Sequence, residues 1–247
     1  MLSPVSTVTI EAGPGRLPLY LSRPEDEGPW PGVVVVHDAL GMSADLRAQA
    51  DWLAGAGYLA AAPDLFDGRS KAACMVSIMR EVRTGSGPTF DRIEAARRML
   101  ATSSECTGSV GVIGFCLGGG LALVLAPGHG FAASSVNYPT APKRAYDHRL
   151  LEGACPIVAS YGGRDRMLRG AAARLEGALA AAGVAHDVKE YPEAGHGFLN
   201  DHESAGEGAG GLFGVVAKLT PGAGYHEPSA QDARRRILAF FDAHLRS

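Results

Sequence analysis

Residues 111–120 have the sequence Gly-Val-Ile-Gly-Phe-Cys-Leu-Gly-Gly-Gly and lie between two apolar segments. The run before them predicts a buried strand, and the run from Leu121 to Ala126 predicts the first turns of a buried helix. Cys116 stands between Gly114 and Gly118, which is the glycine–x–nucleophile–x–glycine pattern of a sharp strand-to-helix turn. Such a turn strains its central residue and presses both flanking positions against neighbouring backbone, so both flanks are expected to be glycine.

The same turn would make a thiol chemically useful. The Leu117 amide would lie at a helix N-terminus, where unpaired N–H groups and the helix dipole favour negative charge. The Cys116 thiol should then ionise readily, and an oxyanion formed beside it would find a hydrogen-bond donor. Two alternatives stay open: Cys116 is a small buried structural residue, or the glycines form a dinucleotide-binding loop. The second fits poorly, because the glycines are out of register with G-x-G-x-x-G.

Length and composition favour one ordinary globular domain spanning residues 1–247, with 46% apolar and 20% charged residues. The net charge of -3 and the lack of a basic stripe argue against a nucleic-acid partner. No apolar run approaches the roughly 18 residues of a membrane span, and the first residues do not resemble an export signal. Four irregularly spaced cysteines form neither a disulfide framework nor a C-x-x-C pair. A reducing cytoplasm is therefore the expected compartment.

The rest of the chain predicts an α/β architecture. Residues 7–11 and 17–22 alternate weakly around a Gly-Pro-Gly turn and predict an N-terminal antiparallel hairpin. After the hairpin, strands alternate with helices, which predicts a mostly parallel twisted sheet with helices on both faces. The further predicted strands are 33–36, 58–62, 131–138, 156–161 and 186–191, and the predicted helices are 45–56, 72–82, 91–101, 168–182 and 229–244.

A glycine-rich insertion at about 200–228 interrupts this pattern and contains an apolar island, residues 212–219. A loop of this length inside a compact domain is usually functional or disordered. One interpretation is a solvated insertion. The other is a lid or a subunit contact that buries Phe213 and Val215, which would be compatible with a homodimer.

A thiol nucleophile needs a base, and the base needs an orienting acid. In a doubly wound sheet such groups gather in the loops after the carboxyl ends of the strands. Asp165 follows one predicted strand and His196 follows the next, so the chain order is nucleophile, acid, histidine. This order is the one found in α/β-hydrolases, and it predicts a Cys116–His196–Asp165 triad. His202 and His226 are rival bases in the insertion.

The loop after the strand 33–36 should supply a second oxyanion donor, because it passes beside the nucleophile turn. The Ala39 amide is the first candidate, and the Leu40 amide is the alternative. A zinc site formed by His37, Asp38 and another histidine is a further alternative. No histidine pair has the i, i+3 or i, i+4 spacing of a helix, so no metal is expected.

Five segments together resemble the dienelactone hydrolase family. They are Val33-Val-Val-Val-His-Asp-Ala-Leu-Gly41, Ala62-Pro-Asp-Leu-Phe66, Gly111-Val-Ile-Gly-Phe-Cys-Leu-Gly-Gly119, Tyr161-Gly-Gly-Arg-Asp165 and Glu193-Ala-Gly-His-Gly-Phe198. The resemblance runs from about residue 7 to the last predicted helix, and the G-F-C-x-G-G turn is its most specific part. It implies an α/β-hydrolase fold, a Cys-Asp-His triad at the three residues named above, no cofactor, and cleavage of lactones or activated esters.

The chain departs from the family pattern around the substrate. Asp38 stands where the family often has a glutamate that is implicated in activating the thiol. The family also holds a substrate carboxylate with arginines; one of these positions is Asn200 here, and no arginine aligns convincingly at the other. The substrate-binding candidates are Arg69, Lys71, Arg80, Asn200 and Phe198.

The sequence therefore predicts a hydrolase that cleaves a lactone or small activated carboxylic ester through a thioester acyl-enzyme. Its partner would be a small-molecule substrate, with no nucleic acid, membrane or cofactor. A non-catalytic ligand-binding protein on the same fold is the alternative, because an intact triad does not prove turnover. A nucleotide-dependent oxidoreductase is a third, weaker alternative.

Overall fold

The structure is a computed structural model, and it describes residues 5–13, 15–202 and 223–246. Eight strands form one sheet in the spatial order β1-β2-β4-β3-β5-β6-β7-β8. The β1–β2 and β2–β4 pairs are antiparallel, and the remaining neighbours are parallel. The strands are β1 Val5–Ala12, β2 Gly15–Ser22, β3 Trp30–Val36, β4 Leu59–Pro63, β5 Cys106–Phe115, β6 Ser134–Asn137, β7 Ile157–Gly162 and β8 His186–Tyr191. The predicted hairpin and mostly parallel sheet are confirmed.

Helices cover both faces of this sheet, as expected for parallel strands joined by helical crossovers. They are α1 Ala44–Gly55, α2 Lys71–Thr84, α3 Pro88–Thr102, α4 Leu117–Leu125, α5 His148–Leu151, α6 Ala171–Ala181 and α7 Glu227–Leu245. Helices α1 and α7 pack in one apolar cluster, and α2, α3, α4 and α6 pack in the other. Val33–Val36 of β3 are fully buried between the two clusters, which explains their uninterrupted apolar sequence.

Two local predictions differ from the structure. The strand predicted at 131–138 is only Ser134–Asn137: residues 131–133 precede it, and Tyr138 takes a φ of 35° and leaves the extended conformation. Residues 66–90 are more helical than expected, since α2 is longer than predicted and α3 begins at Pro88. Proline suits a first helical position because its missing N–H would have no intrahelical partner there.

The insertion lies largely outside the described residues. Residues 203–222 are not described, so Phe213 and Val215, with the lid or subunit contact predicted for them, lie outside the described residues. Residues 200–202 are described, and all but the half-buried Asp201 are buried. A search of the described residues finds no helix long and apolar enough to cross a membrane.

Candidate active site

Cys116 lies on the predicted sharp turn between β5 and α4. Its backbone has φ 53° and ψ -109°, a conformation that non-glycine residues rarely adopt. A Cβ at Gly114 would lie 2.0 Å from the Gly118 carbonyl oxygen, and a Cβ at Gly118 would lie 2.3 Å from the Val36 carbonyl oxygen. The expectation that both flanks must be glycine is confirmed, and the reason is close approach of backbone to backbone.

Asp165 and His196 meet at the carboxyl edge of the sheet. Asp165 follows β7 and His196 follows β8, and the His196 Nδ1 lies 2.6 Å from the Asp165 Oδ2. The second carboxylate oxygen of Asp165 accepts a hydrogen bond of 2.9 Å from the Met167 amide. Both side chains are almost completely buried, so the carboxylate holds the ring in one orientation away from water.

The sulfur of Cys116 is the other neighbour of the His196 ring. Burial by itself lowers the pKa of His196, but hydrogen bonds to Asp165 and Cys116 and their charges outweigh it and raise that pKa to about 10. The Cys116 Sγ also lies 3.4 Å from the Thr140 Oγ1. The arrangement favours a protonated imidazole between the Asp165 carboxylate and the Cys116 sulfur.

A buried hydrogen-bond network formed by Tyr138, Asn200 and Asp45 lies next to the His196 ring. The Tyr138 ring packs edge-on against the His196 ring at a centroid distance of 5.2 Å. The Tyr138 hydroxyl donates to the Asn200 Oδ1, and the Asn200 Nδ2 donates to Asp45. Burial, together with the charges of Asp45, Asp38 and Cys116, raises the pKa of Tyr138 well above its ordinary value, so the hydroxyl stays a donor. Both ends of the Asn200 side chain are therefore occupied by protein groups.

Asp45, in the first turn of α1, is the last member of this hydrogen-bond network. Its Oδ1 accepts a hydrogen bond of 2.8 Å from the Asp201 amide, and its side chain is 4% exposed or less. Burial raises the pKa of Asp45, and the Asn200 hydrogen bond and the charge of His202 oppose that shift. The Asp45 side chain thus ties the segment after His196 to helix α1.

The loop after β3 lies beside the nucleophile turn, as predicted. The Asp38 Oδ1 accepts a hydrogen bond of 2.8 Å from the Leu40 amide, which leaves that amide occupied. Among the described residues, the Ala39 and Leu117 amides have no hydrogen-bond acceptor. Close contact between the loop and the turn is required, since Gly118 touches the backbone of Val36 and His37.

The two rival bases have other partners. The His202 Nε2 lies 3.0 Å from the Asp38 Oδ2, and both side chains are buried. The His226 Nδ1 lies 2.9 Å from the Ser229 hydroxyl at the start of α7. The Asp38 carboxylate, predicted as an auxiliary acid, therefore uses its two oxygens for the Leu40 amide and His202.

The other substrate-binding candidates are scattered. Arg69 donates to the Leu65 and Phe66 carbonyl oxygens and lines a cavity of about 300 Å³, whose lining includes none of the three predicted triad residues. The Lys71 Nζ lies 2.6 Å from the Leu40 carbonyl oxygen, and Arg80 is exposed on α2. Phe198 is fully buried and packs against the Tyr138 ring at 5.5 Å. Of the five candidates, Lys71 contacts the loop after β3 through Leu40, and Asn200 and Phe198 contact Tyr138.

Sequence reasoning missed Thr140, Tyr138 and Asp45. The first two follow β6 and could have been found by applying the strand-end rule to every strand, because β6 is the neighbour of β5. No sequence signal distinguishes Asp45 from an ordinary first-turn carboxylate that favours a helix N-terminus. A search of the described residues finds no group of three or more metal-ligating side chains.

The mostly parallel sheet, covered by helices on both faces and with Cys116 on a strained strand-to-helix turn, has the α/β-hydrolase fold. Solved structures agree on the fold. A dienelactone hydrolase-like promiscuous phosphotriesterase from metagenomic libraries has a TM-score of 0.75 at 22% identity, with 97% of this chain and 98% of that chain covered. Dienelactone hydrolase from Anabaena variabilis has a TM-score of 0.68 at 21% identity, with 98% of each chain covered.

Sequence comparison identifies the family. The model of the dienelactone hydrolase family matches residues 17–245, and this chain belongs to that family. A carboxymethylenebutenolidase from Pseudomonas putida is 27% identical over 187 residues, which are 72% of this chain and 79% of the relative. The protein is accordingly an ester or lactone hydrolase of the dienelactone hydrolase type.

Proposed function

We propose that Cys116, His196 and Asp165 form a nucleophilic triad that cleaves a lactone or a small activated carboxylic ester. The observation that carries the proposal is the buried His196–Asp165 hydrogen bond of 2.6 Å beside a cysteine held at φ 53°. The direction of the His196 pKa shift supports it, because a protonated imidazole next to sulfur favours the thiolate, which is the reactive form.

In the first half-reaction the Cys116 thiolate attacks the carbonyl carbon and forms a carbon–sulfur bond. The carbonyl oxygen becomes an oxyanion that accepts hydrogen bonds from the Leu117 and Ala39 amides, whose donors have no acceptor among the described residues. When the tetrahedral intermediate collapses, the carbon–oxygen bond to the leaving group breaks. His196 gives its proton to the departing alkoxide, and a thioester acyl-enzyme remains.

In the second half-reaction neutral His196 takes a proton from water, and the resulting hydroxide attacks the thioester carbonyl. The same two amides stabilise the second oxyanion. Each such donor typically raises the rate by about 10²–10³-fold. Collapse breaks the carbon–sulfur bond, releases the carboxylic acid and returns the thiolate–imidazolium pair. Asp165 keeps the ring oriented throughout, since its carboxylate accepts from Nδ1 in both states.

The carboxymethylenebutenolidase relatives favour a lactone as the natural substrate class. In this chain Asp38 and His202 are hydrogen-bonded to each other, and Asn200 is hydrogen-bonded to Tyr138 and Asp45. These side chains are therefore engaged within the protein, and the lactone or ester group, rather than a substrate carboxylate, is the feature that the enzyme recognises. A panel of matched esters and lactones with and without a carboxylate measures this preference directly as a ratio of kcat/KM values.

The test of the triad uses Cys116→Ala and an activated ester such as p-nitrophenyl acetate. Wild-type protein should release p-nitrophenol and gain an acyl adduct on Cys116 detectable by mass spectrometry of trapped protein. The variant should lose both while keeping its circular dichroism spectrum. Full turnover by a well-folded Cys116→Ala variant would refute the triad, and ligand retained by the wild type without covalent change would support a binding protein.

Two further proposals concern the setting of the enzyme. All four cysteines, at positions 74, 106, 116 and 155, lie within the described residues and are free thiols, which suits a reducing cytoplasm. A homodimer stays a prediction, and sedimentation velocity over a range of protein concentrations would test it.

A further inference from the structure

The segment from His196 to His202 is hydrogen-bonded to four other segments around the candidate site. His196 is bonded to Asp165, and Asn200 links Tyr138 to Asp45. The last residue, His202, is bonded to Asp38 in the loop after β3. One short segment therefore connects the histidine of the triad to the loop that carries the proposed oxyanion donor.

Asp38 is the bridge between His202 and that loop. Its Oδ2 lies 3.0 Å from the His202 Nε2, while its Oδ1 lies 2.8 Å from the Leu40 nitrogen. Both side chains of the pair are only 7% exposed, so each satisfies its hydrogen bonding mainly through protein partners rather than bulk water. A carboxylate held by two donors in such a site has one orientation, and the Leu40 amide is held with it.

The direction of the Leu40 amide determines which amide faces the nucleophile. Leu40 is occupied by Asp38, whereas the preceding amide, that of Ala39, has no acceptor among the described residues. The next peptide plane, between Leu40 and Gly41, is held by the Lys71 ammonium, which donates to the Leu40 carbonyl oxygen at 2.6 Å. If Asp38 released Leu40, the loop would have two amides competing for one oxyanion position.

His202 also lies near a second buried carboxylate, Asp45. Burial raises the pKa of Asp45, the charge of Asp38 adds to that rise, and the charge of His202 opposes it. Removing the imidazole would leave Asp38 without its second donor in a buried site next to another carboxylate. The least costly response is for Asp38 to turn toward water and abandon the Leu40 amide.

We propose that His202 is a positioning residue for the loop after β3. Through Asp38 it keeps the Leu40 amide turned away from the oxyanion, and the Ala39 amide is thereby left to donate to the oxyanion. The proposal rests on the function proposed above, because it assigns a role to His202 within that mechanism. It gives the rival histidine of the insertion a task distinct from that of a base.

The experiment compares His202→Ala, His202→Gln and Asp38→Asn with wild-type protein in two reactions of Cys116. Hydrolysis of p-nitrophenyl acetate forms an oxyanion, whereas alkylation by iodoacetamide forms none. His202→Ala should lower kcat by about 10-fold to 10²-fold, as expected for displacement of one catalytic group by a fraction of an ångström or more. Its KM and its rate of Cys116 alkylation should stay within about twofold of wild type.

His202→Gln can still donate to Asp38 through its side-chain amide and should recover most of the lost kcat. Asp38→Asn should resemble His202→Ala. The matched control is His148→Ala, since His148 faces Asp147 at 3.7 Å with both side chains about half exposed, and its removal should change neither reaction.

The outcomes distinguish failure of the positioning role of His202 from failure of the proposed triad. Wild-type protein that does not hydrolyse any ester would refute the proposed function. Wild-type hydrolysis with an unchanged kcat in His202→Ala would refute the positioning role alone. Equal loss of hydrolysis and alkylation in His202→Ala, without recovery in His202→Gln, would also overturn it, because His202 would then act on the thiol or on the fold.

Discussion

His196 and His202 lie six positions apart, both are buried, and each is hydrogen-bonded to a buried aspartate. The two histidine–aspartate pairs differ in the group that lies next to each pair. Beyond the His196–Asp165 pair lies the Cys116 sulfur, which raises the pKa of the ring. Beyond the His202–Asp38 pair lies the Leu40 amide, which has no proton to exchange in the reaction.

The comparison teaches that residue type, burial and a carboxylate partner do not define a general base. A histidine–aspartate pair becomes a base when its free nitrogen faces a group that must lose or gain a proton. The same pair becomes a structural bridge when the carboxylate, rather than the ring, faces the reacting region. Four predictions sharpen or break this distinction, and they are given in order of decreasing effect.

The largest effect is expected for His196→Ala. Loss of the base should lower kcat/KM for p-nitrophenyl acetate by about 10⁴-fold or more, by analogy with other triads. Alkylation of Cys116 by iodoacetamide should also slow, because the thiolate loses its imidazolium partner. The distinction between the two histidines would fail if His196→Ala affected both reactions no more than His202→Ala does.

Asp165→Asn should produce the next largest loss, about 10²–10⁴-fold in kcat, because the amide favours the wrong tautomer of His196. Asp38→Asn changes the same chemical group in the other pair and should lose at most about 10²-fold. Steady-state kinetics of the two variants under identical conditions gives the comparison. Equal losses would indicate that the two aspartates are not specialised.

The pH dependence of the unfolding free energy should also differ between wild-type protein and Asp165→Asn. The folded-state pKa of His196 is raised to about 10 from an ordinary value of 6.5, so the protonated ring stabilises the fold fully below pH 6.5. This contribution is lost as the pH rises through about 10. The difference in unfolding free energy between wild type and Asp165→Asn should therefore be on the order of a few kcal/mol near pH 6.5 and should shrink toward pH 10.

Urea denaturation at several pH values measures that difference. His148→Ala provides the control, since its side chain is about half exposed and its removal should leave the profile unchanged. A difference between wild type and Asp165→Asn that grows with pH would contradict the assigned direction of the His196 shift.

Tyr138→Phe should have the smallest effect and should act on stability more than on rate. The ring contact with His196 is kept, but the Asn200 carbonyl oxygen loses its buried donor. The unfolding free energy should fall by about 1–3 kcal/mol, while kcat should change by less than about 10-fold. Unchanged stability in urea denaturation would show that Asn200 finds another donor.

Much of the fold and part of the candidate site are local in origin and could be predicted. Val33–Val36 had to be a strand covered on both faces, and Gly114 and Gly118 had to flank a sharp turn. Cys116, Asp165 and His196 were found because the edge of a parallel sheet gathers the residues that follow its strands. The extent of β6 was overestimated at both ends, and its C-terminal end is set by the φ of 35° at Tyr138, which an apolar run does not reveal.

The sequence alone determined the alternation of strands and helices, the nucleophile turn and the order of the three candidate triad residues, because these depend on near neighbours in the chain. Only the tertiary structure decided that Asp165 bonds to His196 while Asp38 bonds to His202, and that Asn200 joins Tyr138 to Asp45. Those pairings join residues far apart in sequence, and they depend on how the helices and loops pack against the sheet. A pattern of residue types contains no such distances.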